Sequence, residues 1–136
     1  MRYEIEKEII NNNLDAKNLP VLWNQKMKEY LGIIPDTDAM GCMQDIHWPS
    51  GTIGYFPSYT NGAIIASMLM KKAKSEYTSI DYELTNGKFT SLNKFLNENL
   101  RQFGSSKTSS ELLNQATGYN EIQPDIFLNY LKDKYL

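Results

Sequence analysis

Residues 59–76 read YTNGAIIASMLMKKAKSE, an apolar run as far as Met70 followed by a strongly polar tail. Such a stretch predicts a helix whose first half is buried nearly all round and whose second half reaches solvent. Gly62, Ala63, Ala66 and Ser67 lie on the apolar half, where their small side chains would let neighbouring helices approach closely. No stretch of useful length alternates apolar and polar residues as a strand does, and no internal repeat occurs. The expectation is therefore an all-α chain, one compact multi-helix domain over residues 1–136 with about six helices.

Downstream, Thr85-Asn86-Gly87 marks a turn before a helix carrying Leu92, Phe95, Leu96, Leu100 and Phe103, expected to be capped by Thr90 and stopped by Gly104. Thr108 followed by Glu111 forms a capping-box pattern before a short helix that Gly118 closes. A last helix begins near Pro124, with Phe127, Tyr130, Leu131 and Tyr135 on one face. Upstream, Leu19-Pro20 opens a helix whose stripe is Trp23, Met27, Tyr30 and Leu31, with Gly32 as its stop. The chain opens on another helix, Tyr3 to Ile10, whose Ile5 and Ile9 would face inward and whose Glu/Lys-rich side would meet water. A helix already under way at Met1 is what a truncated or split polypeptide would show. Between Ile33 and Thr60 the pattern is irregular, rich in Gly and Pro but also in His47, Trp48, Tyr55, Phe56 and Tyr59. A long aromatic loop of this kind is expected to be a packed functional segment.

Composition narrows the classes. Apolar residues make up 41% of the 136, charged residues 22%, and the net charge is −2, so no basic footprint for nucleic acid is present. The most apolar stretch, Gly62 to Met70, is far shorter than the roughly 20 residues of a membrane-spanning helix. Cys42 is the single cysteine, which excludes an internal disulfide, and MRYEIEKEII has no signal-peptide pattern. A soluble protein of the reducing cytoplasm is expected.

Metal chemistry is limited by the same census. Catalytic zinc usually needs three protein ligands, and one His and one Cys cannot form an HExxH helix. Cys42 and His47 form a pair by residue type alone, with no third group to orient it, and Gly41, Gly51 and Gly54 do not have phosphate-loop spacing. His47, between Ile46 and Trp48, is read in two ways. It is either a hydrogen-bonded core imidazole or, with Gln44, Asp45, Tyr55 and Tyr59 close by in sequence, part of a binding site.

GCMQDIHW, at Gly41–Trp48, resembles the GxxQDxHW motif of the carboxypeptidase Taq family of metallocarboxypeptidases. GTIGYFPSYTNGAIIAS, at Gly51–Ser67, is similar to that family's G-x-x-GYFPTYT-x-G segment, with Ser58 where the family commonly has Thr. RYEIEKEI and LPVLWNQKMKEYLGI upstream, and NKFLNENLRQFG, ELLNQATG and YLKDKYL downstream, resemble the flanking segments in the same order. The resemblance implies the C-terminal portion of a larger all-helical, cytosolic, often dimeric enzyme that removes residues from peptide C-termini with a divalent metal, usually zinc. Its HExxH helix and IRxxAD arginine would precede the region matched here, so this chain carries no metal ligands and would need the missing N-terminal catalytic region as its partner. Alone it is expected to be inactive, with apolar surface exposed on the Gly62–Met70 helix and a tendency to self-associate.

The resemblance further implies catalytic roles for His47, Tyr55 and Tyr59, as donors to the substrate's terminal carboxylate or to the developing oxyanion. Asp45 would orient His47 or a neighbouring helix, and Gln44 and Trp48 complete the substrate-binding or supporting positions. The alternative is a non-enzymatic helical interaction module that keeps the ancestral fold.

Overall fold

Helix α1 spans Arg2–Asn11 and α2 spans Leu19–Leu31 in the computed structural model, which describes all of residues 1–136. Contacts group the chain into two compact units, Met1–Tyr59 and Thr60–Leu136, and each is built by its own local signals.

In the first unit, Pro20 lies in the first turn of α2, where its missing N–H leaves no bond unmade. Gly32 ends that helix in the left-handed conformation and donates its N–H to the Lys28 carbonyl. Ile5 of α1, Trp23 of α2 and Cys42 form the buried core, with Ile9, Leu22, Met27 and Trp48 packed around it. The two helices are also tied at the surface. Lys26 Nζ lies 2.8 Å from Glu4, and the Tyr30 hydroxyl donates to Glu4 at 2.6 Å. Those two partners hold the Glu4 carboxyl below the ordinary range.

The expectation that the acidic side of α1 meets water fails at one residue. Glu6 is only 4% exposed, because it turns towards the loop that follows α2. That loop contains two tight 3-10 turns, Asp38–Met40 and Cys42–Gln44.

Helix α3 spans Phe56–Glu76, beginning three residues before the sequence pattern suggests and continuing into the second unit. There it is followed by α4 (Ile80–Thr85), α5 (Thr90–Asn99), α6 (Ser109–Thr117) and α7 (Pro124–Tyr135). Seven helices and no strands confirm the all-α class. The helix missing from the sequence reading is α4, whose six residues are too few to display a 3.6-residue repeat. Two small cores hold the second unit. One is Ile64, Met68 and Leu113; the other is Ala73, Ile80 and Phe95.

Three local expectations are corrected. Thr90 is the first residue of α5 and not its cap; Glu83 of α4 fills that role by accepting from the Ser91 N–H at 2.9 Å. Helix α5 stops at Asn99, and Leu100 (φ −132°, ψ −64°) leads into a 3-10 turn at Arg101–Phe103 before Gly104. On the first half of α3 only Ile64 and Met68 are buried, while Gly62 and Ala66 face outward. The capping box at Thr108 and Glu111 is present in full.

Candidate functional site

The motif loop is held from beneath by an acid. Asp45 has a fully buried side chain that forms an ion pair with Arg2 Nε of α1 at 2.9 Å. Its Oδ1 accepts the His47 backbone N–H at 2.8 Å and approaches the Trp48 N–H at 3.4 Å. This is the local turn that Asp favours, here with a charged acceptor fixing the backbone on either side of the imidazole. Gly41, at the start of the motif, is buried against Pro35, whose Cγ would stand 3.3 Å from a Cβ added at the glycine.

His47 itself is partly open, its side chain 25% exposed. Its Nδ1 faces Asp45 Oδ1 at 3.5 Å, at the limit of a hydrogen bond, and its Nε2 lies 3.4 Å from the Tyr59 hydroxyl. Aromatic rings surround it. Phe56 is closest, with centroids 4.7 Å apart; Tyr55 stacks at 5.9 Å, and Tyr59 presents its edge at 6.2 Å. Tyr55 and Tyr59 pack edge to face at 5.3 Å and both remain exposed. One rim of the loop therefore carries an imidazole nitrogen and two phenols at the surface.

Chemically, these groups can bind an anion or a polarised carbonyl. With Nδ1 towards Asp45, a neutral ring accepts at Nε2 from the Tyr59 O–H, and a protonated ring donates from Nε2. In either state a donor remains at this rim.

The other motif residues have different surroundings. The Gln44 side chain donates back to the Ala39 carbonyl, tying the two 3-10 turns together. Trp48 meets Trp23 edge to face at 6.2 Å and Phe56 at 5.9 Å, so its indole serves the core. Cys42 is buried, and that burial, followed by the charge of Asp38, raises its thiol above the usual range. It is a poor nucleophile at neutral pH.

Sequence reasoning missed two residues that shape the site, Arg2 and Glu6 of α1. Arg2 pairs with Asp45 and also lies over Trp23 and Phe56, 5.3 and 5.6 Å from their centroids. Glu6 accepts the Gly54 N–H at 2.8 Å. Their four-residue spacing puts both on one face of α1, a signal visible in the sequence but indistinguishable there from a solvated charge pattern.

No group of three His, Cys, Asp or Glu side chains in this chain could hold a metal ion. The donors present do not fit the metal that the resemblance implies. No helix is long and apolar enough to cross a membrane.

Known proteins match this arrangement over nearly the whole chain. Carboxypeptidase 1 of Bacillus subtilis (strain 168) is 41% identical over 135 residues, 99% of this chain and 27% of that enzyme. Thermostable carboxypeptidase 1 of Pyrococcus furiosus is 33% identical over 136 residues, all of this chain and 27% of its own length. The solved structure of Trypanosoma cruzi metallocarboxypeptidase 1 superposes with a TM-score of 0.91 at 39% identity, covering 98% of this chain and 28% of that one. The chain thus spans about 27% of the length of the curated relatives it matches, at their C-terminal end. With the family model for carboxypeptidase Taq (M32) metallopeptidases matching residues 1–135 as well, the chain belongs to that family.

Proposed function

We propose that this chain supplies part of the substrate-binding wall of a metal-dependent carboxypeptidase acting on peptide C-termini. The observation that carries the reading is the exposed pairing of His47 Nε2 with the Tyr59 hydroxyl, 3.4 Å apart, backed by the buried Asp45. That pair, with the Tyr55 phenol beside it, suits a terminal carboxylate or a developing oxyanion. Zinc or another divalent ion, and the groups that activate water, belong on this reading to residues outside the chain. The chain by itself is then inactive, and a cytoplasmic setting suits its lone buried thiol. A homodimer remains part of the proposal through the family alone.

The test has two arms. The purified chain, assayed on a blocked dipeptide with added zinc or cobalt, is expected to show neither turnover nor stoichiometric metal. A chimera carrying residues 1–136 in place of the matching part of the Bacillus enzyme is expected to be active. There, His47→Ala should lower kcat/KM by about 1–3 kcal/mol of transition-state stabilisation, the loss of one charge-assisted hydrogen bond. Unchanged kcat/KM in that variant would refute the role of His47.

A helical interaction module is the second reading, and Gln44, turned back on the Ala39 carbonyl, and Trp48, packed against Trp23, favour it, since fold alone explains both. A chimera that folds but has no carboxypeptidase activity would support it.

A further inference from the structure

We propose that Glu6 is a positioning residue of this site, fixing the Gly54 turn and thereby the placement of Tyr55 and Tyr59 beside His47. The proposal rests on the reading of His47 and Tyr59 as substrate-facing groups.

Glu6 is buried, with one carboxylate oxygen on the Gly54 N–H at 2.8 Å across 48 residues of sequence. Its other oxygen is shielded from solvent and has no hydrogen-bond partner. A carboxylate in such a place costs desolvation that an apolar side chain of the same size would avoid. Fold alone therefore gives little reason for an acid here. What the acid adds is direction, because a charged acceptor holds one N–H more firmly than a neutral one.

The N–H it holds is at a sensitive point. Gly54 has φ +76°, a conformation that costs other residues strain, so its peptide orientation is set by the glycine and by this single bond. Tyr55 follows at once, and its carbonyl accepts the Ser58 N–H at 3.0 Å in the first turn of α3. A rotation at Gly54 would carry Tyr55 and the start of α3, including Phe56 against the His47 ring. Arg2, one helical turn before Glu6, holds the other end of the same loop through Asp45. The two charges of α1 together bracket the motif.

Amide hydrogen exchange and ring resonances of the 136-residue chain test this. Glu6→Met keeps the side chain's bulk and removes the acceptor; Glu6→Gln keeps an acceptor oxygen. In E6M the Gly54 amide should exchange on the order of tenfold faster or more, with amides of α2 unchanged, and the Tyr55, Tyr59 and His47 ring signals should move. E6Q should largely restore all of them. An unchanged Gly54 amide, or equal acceleration throughout residues 1–59, would overturn the positioning role. If E6M does not fold, the unsubstituted chain decides: Gly54 must exchange more slowly than Tyr55, and similar rates overturn the proposal.

A blocked dipeptide with a free C-terminal carboxylate, titrated into each variant, separates this inference from the reading beneath it. Shifts at Tyr59 that weaken in E6M and return in E6Q support both. Equal shifts in all three overturn the role of Glu6. No shift in any of them overturns the substrate-facing reading, and with it the function of Glu6, while the exchange of Gly54 still reports whether the contact exists.

Discussion

Replacing Asp45 with Ala removes the group on which the motif loop is organised, and the cost follows from its contacts. The His47 N–H at 2.8 Å loses a charged, buried acceptor, a bond contributing about 1.5–3 kcal/mol; the longer Trp48 contact adds little. The Arg2 pair must be discounted, since the Arg2 side chain is 43% exposed and remains hydrated after the change. It contributes about 0.5–1 kcal/mol. Asp45→Ala is therefore expected to destabilise by about 2–4 kcal/mol, and Asp45→Asn, which keeps an acceptor for the His47 N–H, by clearly less. Trp23 and Trp48 both lie in the first unit, so tryptophan fluorescence during urea unfolding follows that unit. With a slope of about 2 kcal/mol per molar urea, the midpoint should fall by roughly 1–2 M. Exposed Asp36→Ala is the control and should stay within about 0.5 kcal/mol. An Asp45→Ala midpoint matching the control would refute the account of the loop given above.

Two further outcomes follow from the charges and the thiol. Glu83 is held below the ordinary carboxylate range by the Ser91 hydroxyl and N–H and by Ser79. Its contribution is thus fully present above the unfolded value near 4.5 and is lost as pH falls through the lower folded one. Circular dichroism melts should show Glu83→Gln less stable than the unsubstituted chain at neutral pH, with the gap closing in acid; a gap constant with pH would contradict the assignment. Cys42, buried and with its thiol raised, should react with a disulfide reagent at neutral pH more slowly than free cysteine, and at the free rate in denaturant. Equal rates in folded protein would count against its place in the core.

Much of this is legible in the sequence. Pro20, Gly32, Gly118 and the Thr108/Glu111 box set helix ends through local chemistry, and each stands where the pattern put it. Helix α4 was not legible, because six residues carry only Ile80 and Leu84 as a hint of periodicity. The true cap of α5 was hidden for a different reason, since Glu83 reaches Ser91 from outside the helix it caps. At the site, the motif named His47, Tyr55 and Tyr59, and the structure brings the three rings together. Glu6 and Arg2 escaped because a buried acid and a solvated one look alike in sequence, and only the long-range partner distinguishes them.

The 48-residue reach from Glu6 to Gly54 also orders events in time. Helix ends stopped by their own glycines or caps can form within microseconds from neighbouring residues. The Gly54 turn cannot, because its acceptor lies 48 residues away and the segment between must close first. During synthesis α1 emerges before the motif does, and Arg2 and Glu6 find Asp45 and Gly54 only after the residues between have followed. The surface that bears His47 and Tyr59 is then among the last parts of the first unit to take shape, and among the first to be lost when α1 lifts away.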